Sequence, residues 1–448
     1  MSASLEQLLR DARIDLVLAR IEKDSSVINE VIQNVDNEIR SIRFNSIFVL
    51  GELGEKSGEK AANKIIEYLD DEDWSIRREA ARSLGKIGKI AYNSVAKLAK
   101  CCEDDEDTIR ISVVTSLGKI GSSASDSLNT LKNALKDKVE QVRVEAANAL
   151  GLIGPEAYEV IPNLMKSMSD PSWAVRTSSA RAMSGIGKGT VKAIPTLISA
   201  LDDKDWRVRY HIVNTLREIG GEAVPHLFEA LKHENRVVRT EAVEALGELG
   251  IKSPEIINNL VLMLQDPKEE VRGKAATSLR SIGKDAVLGL VEACKIASNK
   301  MKIVIISAIG GIGVEAIEAI SYLISLLEDK STSIRVEAAR NLGSIGINSE
   351  AAGNALEQAL NDPKPVVRRE AALSLGKLGS VAEKAIPSLL RALEDKKPDV
   401  RWRASEALGK IQVNTPEIIS ALENLIHDEC DYVCESADFA IDNITENI

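Results

Sequence analysis

Aromatic residues are scarce, 3 % of 448 residues. A β-sandwich core leans on aromatic and β-branched pairs, so this chain has to build its interior from Ala, Leu, Ile and Val. Such small apolar side chains suit helices packed closely together. Cysteine is sparse as well: five residues, two of them adjacent (Cys101 and Cys102), do not form a disulfide framework. A reduced, cytoplasmic protein is the expectation. No uninterrupted apolar run reaches the roughly 18 residues of a membrane span. The opening "MSASLEQLLRDARIDL" is charged and has no signal-peptide segment, so neither membrane nor export is expected. Excess positive charge is missing too. A net charge of −11 disfavours nucleic acid as the main partner and leaves it only a local patch.

What the chain does have is self-similarity. Aligned on "DDEDWSIRREAARSLGKIG", a cation recurs at Arg43, Arg77, Arg110, Arg143, Arg176, Arg209, Arg239, Arg272, Lys302, Arg335, Arg368 and Arg401. The step is 33 residues with one of 34 and two of 30, and it extends outward to Arg10 and Cys434 in degenerate flanks. About fourteen units result, with caps at the two ends.

Each unit reads as two helices. In Ala193–Gly220 the first carries Ile194, Leu197, Ile198 and Leu201, and the second carries Val208, Ile212, Leu216 and Ile219, both at helical spacing. Pro162, Pro195, Pro225 and Pro387 open first helices, where a missing N–H costs little. An Asp six residues before the cation (Asp71, Asp104, Asp137, Asp170 and onward) predicts an N-cap. A following Pro171, Pro267 or Pro363 would then be the first helical residue, and Asp266–Glu269 a capping box. This places Trp74, Trp173 and Trp206 in the third helical position. Glycine eleven residues after the cation predicts a left-handed C-terminal stop. A second glycine three residues earlier, as in Gly85 and Gly118, predicts close helix approach. Arg217 and Arg280 replace it where the contact should be looser.

These residues resemble the HEAT-repeat family, in the short-repeat form of phycobilisome lyase subunits and artificial repeat binders. The match to D-x-x-W-x-V/I-R-x-x-A-A-x-x-L-G-x-I-G in Asp71–Gly88 is good, and the resemblance runs along nearly the whole chain. It implies an all-α, right-handed solenoid. The expected layout is a cap over 1–33, repeats over 34–283, a weak seam or hinge over 284–313, repeats over 314–412 and a cap over 413–448. The resemblance also implies that the ladder arginines bond the aspartates near the inter-helix turns and stack from unit to unit. The seam is expected because Lys302 cannot reproduce the arginine fork and Ile296 stands where its unit should have Asp.

In the same family second helices line the concave side. In the opening unit Ile76, Arg77, Ala80, Ala81, Leu84 and Ile87 read as core, which leaves Trp74, Ser75, Arg78, Glu79, Arg82 and Lys86 facing outward. Such positions hold nine of the fourteen aromatics: Phe44, Phe48, Trp74, Trp173, Trp206, Tyr210, Trp402, Tyr432 and Phe439. With Arg78, Arg82, Arg181 and Arg207 they form a candidate protein-binding face, since aromatics and arginine anchor interfaces. The plain alternative is that each tryptophan covers a neighbouring turn. No catalytic set, cofactor or metal centre is expected. His427, Cys430 and Cys434 share a helix face, but Cys434 holds a ladder position and reads as a buried thiol. His233–Glu234 is a single pair in a turn, short of the several His-Glu pairs of the iron-dependent helical-repeat hydroxylases. The expected function is a non-enzymatic scaffold or adaptor with a protein partner. A phycobilin-lyase-like accessory role and a local nucleic-acid patch are the alternatives.

Overall fold

The computed structural model describes residues 3–445; the first two residues of the N-terminal cap and the last three of the C-terminal cap lie outside the described residues. Among the described residues there are 28 α-helices and no strand, as an all-α repeat requires. They fall into two compact units, Met1–Ala245 and Leu246–Ile448. The expected seam lies inside the second.

One repeat shows the plan. The second helix Trp74–Ile87 stops at Gly88, a 3-10 turn runs Gly88–Ser94, and the next repeat follows as Val95–Cys101 and Asp107–Ile120. Ile76, Ala80, Leu84 and Ile87 are fully buried, and their helix packs between the second helices Arg40–Glu52 and Asp107–Ile120 of the adjoining repeats. Gly88 adopts φ 72°, ψ −141°, a region essentially reserved for glycine and not the left-handed helical one expected. Positive φ recurs at the equivalent glycines from Gly54 to Gly379, except at Gly346, whose φ is −82°. The glycines inside the helices are explained by proximity. A Cβ on Gly118 would lie 2.7 Å from the Cα of Ala149, and one on Gly85 would lie 2.4 Å from Ser116 Oγ. Hydroxyls bridge the same contact: Ser83 Oγ donates to Ile47 O (3.0 Å) and Ser116 Oγ to Ala81 O (2.8 Å).

Three expectations about helix ends are corrected. The recurring Asp is not the N-cap. Asp71 Oδ1 accepts the Asp73 amide (2.8 Å), a local turn ahead of the helix, and Asp73 then caps it by accepting from Ser75 N (2.8 Å). Ser172 and Asp205 do the same for their helices, so Trp74, Trp173 and Trp206 are the first helical residues, and Pro171 stands before its helix. The capping box at Asp266–Glu269 does not form, because that helix starts at Glu269 behind Lys268. Arg10 is not a ladder residue either. It ends the short helix Leu5–Arg10, and the chain turns at Ala12 (φ 53°) into Ile14–Lys23.

The turn aspartate has a second task. In seven rungs an arginine reaches the aspartate 27 residues later, in the next repeat, with Nε–Oδ2 distances of 2.6–3.0 Å. These are Arg77–Asp104, Arg110–Asp137, Arg143–Asp170, Arg176–Asp203, Arg335–Asp362, Arg368–Asp395 and Arg401–Asp428. Nη1 of each arginine donates to its own repeat's carbonyl six residues back (2.8–2.9 Å). One guanidinium therefore ties two repeats. The Arg401 fork holds the Asp428 carboxyl below its ordinary pKa.

Departures are compensated locally. His233 replaces the turn aspartate, and its Nδ1 accepts the Asn235 amide (3.0 Å); Arg209 then takes Glu241 instead (2.7 Å). Cys434 Sγ donates to Asp428 O (3.2 Å), the carbonyl that an arginine would hold. Lys302 comes no closer than 3.9 Å to Asp329. Asn299–Leu326 is apolar and long enough to cross a membrane by composition, but it folds as helix Asn299–Ile312, a turn at Gly313 and helix Ile320–Leu326. Met301, Ile305, Ile306, Ile309 and Leu323 are buried there.

Candidate protein-binding face

Trp74, Trp173 and Trp206 remain 46 %, 41 % and 65 % exposed, and Tyr210 56 %. As first helical residues they project from the helix starts, beyond the reach of the apolar stripe. Arginines lie over two of these rings. The Arg78 guanidinium carbon lies 5.1 Å from the Trp74 ring centre, and that of Arg207 lies 3.4 Å from Trp173. Arg207 is itself held by both oxygens of Asp205 (2.9 and 2.6 Å), which draws the Asp205 pKa down to about 2. Trp173 thus presents a stacked, pre-positioned plate, one repeat from Trp206 and Tyr210. Tyr210 meets His211 edge-on at 5.3 Å.

Other candidates are tied into the helix face. Phe44 and Phe48 are half-buried, and Lys86 sits 5.0 Å over Phe48 while pairing with Glu52. Arg82 is exposed, reaching toward Glu79 at 3.8 Å. Trp402, in the second unit, is half-buried under Arg403 (3.6 Å) and edge-on to Tyr432 (5.6 Å). Phe439 is 65 % exposed on the last helix.

Two residues assigned to the outward face are in fact buried. Glu79 is 1 % exposed and Ser75 is 7 % exposed. Arg40 of the preceding repeat donates to Ser75 Oγ (2.6 Å), while Ser83 and Arg82 of the same helix flank the Glu79 carboxylate. Burial raises the Glu79 pKa, with Arg82 only partly offsetting it. Glu370, at the same position, is 3 % exposed and accepts from Arg340 Nε (3.0 Å).

Sequence reasoning also missed a groove. A cleft of about 550 Å³ runs across three second helices of the first unit, between Thr115, Lys119, Glu145, Asn148, Leu152 and Arg181. Its floor is Ala149, Gly151, Ala182 and Gly185, small enough that a Cβ on Gly185 would lie 2.5 Å from Gly151 O. Leu152 stands 62 % exposed in it, and Arg181 donates to Asn148 Oδ1 (2.7 Å). The signal was present as Leu152 at a position otherwise mostly charged or small.

A bacterial relative, the uncharacterized protein SkfG of Bacillus subtilis (strain 168), is 36 % identical over 75 residues. That alignment takes in 17 % of this chain and 43 % of the relative, so the chain spans less than half of its length. Among solved structures, an engineered protein matches with 21 % identity and a TM-score of 0.30, covering 86 % of this chain and 98 % of its own. The karyopherin Kap121p bound to the extreme C-terminus of the protein phosphatase Cdc14p matches with 12 % identity and a TM-score of 0.41, covering 99 % and 66 %. The model of HEAT repeats matches at 28–118, 62–151, 128–195, 161–247, 224–295, 287–376 and 353–440, and on these overlapping matches the chain belongs to the HEAT-repeat family.

Proposed function

We propose that the protein is a non-enzymatic scaffold or adaptor that binds a protein partner on the face lined by its second helices, chiefly in the first unit. The observation that carries this reading is the exposure of Trp173, Trp206 and Tyr210 beside a stacked Arg207, in a chain whose core uses almost no aromatics. Exposed rings on a rigid array lose little freedom on binding and remove much apolar surface from water. The Leu152–Arg181 groove on the same set of helices gives a partner side chain a place to enter. The five cysteines are free thiols, which supports a reducing, cytoplasmic setting. Cross-link mapping with a photoreactive residue tests the reading. Placed at Asn214 on a second helix, it should trap the partner; placed at Lys192, ahead of a first helix, it should not. The reverse pattern would move the site to the other face.

A further inference from the structure

The eighth ladder arginine of the regular series outside the caps, Arg272, is followed by a shortened repeat, and its guanidinium is left with carbonyl partners alone. Arg272 Nη1 donates to Asp266 O (2.9 Å) and Pro267 O (3.2 Å), as Nη1 does in the rungs of Arg77, Arg110 and Arg176. In seven other rungs Nε and Nη2 hold the two oxygens of the next repeat's aspartate. Here the corresponding residue is Ile296, the last residue of its helix, 90 % exposed and turned to solvent. No carboxylate of the described residues replaces it.

Where the carboxylate would sit there is space. A cavity of about 430 Å³ opens beside Arg272, lined also by Gln265, Ser298, Lys300 and Asp266. The Asp266 carboxylate accepts the Lys268 amide (2.8 Å), as turn aspartates do. The lining thus holds two cations against one anion, with an amide and a hydroxyl as further donors. Among the described residues neither Arg272 nor Lys300 has an ion-pair partner.

We propose that this cavity is an oxyanion site: it takes a carboxylate or phosphate group from outside, in the place the aspartate fills in the other rungs. A planar guanidinium fork with two unused donors matches paired oxygens, and Lys300 adds a point charge. Binding closes the rung between two repeats, so the ligand stabilises the second unit.

The test follows thermal unfolding of the full chain in inorganic phosphate and, separately, in succinate, each against chloride at equal ionic strength. The unfolding temperature should rise by about 3 °C at tens of millimolar oxyanion, the size expected when a weak ligand binds only the folded state. Arg272→Gln should abolish the difference. Ser298→Asp, which keeps Arg272 and puts a carboxylate into the cavity from within, should abolish it as well while starting from a higher baseline. A response to either oxyanion that both variants lose supports the site, and the stronger of the two names the group it takes. An equal response in all three chains, or none in the original chain, overturns it.

Discussion

The repeat of Arg176 and the repeat of Lys302 share one outline, a fourteen-residue second helix ending in a positive-φ glycine. They differ in almost everything else. Arg176 grips Asp203 with both forks (2.6 and 2.9 Å), and Trp173 stands exposed at its helix start. Lys302 approaches its aspartate only to 3.9 Å, and its surface positions Ile303, Val304 and Ser307 carry no charge or ring. The apolar stripe and the glycines are therefore enough to build a repeat. The arginine rung is a separate layer that fixes how firmly one repeat holds the next.

The largest effect expected is on that layer. Arg176 and Asp203 side chains are 6 % and 10 % exposed, so Arg176→Ala strands a buried carboxylate and should destabilise the first unit by about 3 kcal/mol in urea titration. Lys302→Ala should change stability by less than about 1 kcal/mol. Equal losses would mean that the rung is no stronger than a long-range pair. Next comes close packing. Gly118→Val must push the Ala149 backbone away and should cost about 2 kcal/mol, whereas Gly273→Ala has open space around it and should gain about 0.5–1 kcal/mol. Amide exchange should then be faster across residues 284–313 than across the Arg143 repeat, which is the seam we propose. The smallest effect concerns Glu79. Its raised pKa means that its contribution is fully present below the usual glutamate range and declines as pH rises through the shifted value. Glu79→Gln should therefore stabilise the protein near pH 7, and the two chains should converge in acid. A loss of stability at pH 7 would show that Arg82 more than repays the burial.

Much of this was legible because it recurs every 33 residues. The two-helix unit, the stop glycines and the close approach at Gly85 and Gly118 follow from periodicity and from the volume of a Cβ. Side-chain assignments that depend on the adjoining repeat were harder. Glu79 reads as outward on an isolated helix, yet it is buried in the packed array. Asp71 reads as a cap in the sequence because Asp and Pro favour that role. Its carboxylate instead accepts a turn amide, and in seven rungs the equivalent aspartate also takes an arginine of the preceding repeat. Glu241 standing in for the aspartate that His233 replaces is visible only once both helices are in place.

The central claim is that the exposed tryptophans serve a partner and not the fold. A chain carrying Trp74→Ala, Trp173→Ala and Trp206→Ala, compared with the original in quantitative affinity capture and urea unfolding, tests it most directly. The account predicts a loss of partner retention of at least about tenfold, since anchor residues carry more than about 1 kcal/mol each, with an unfolding midpoint close to the original. Undiminished retention together with a clearly lowered midpoint would contradict it and return the tryptophans to the architecture.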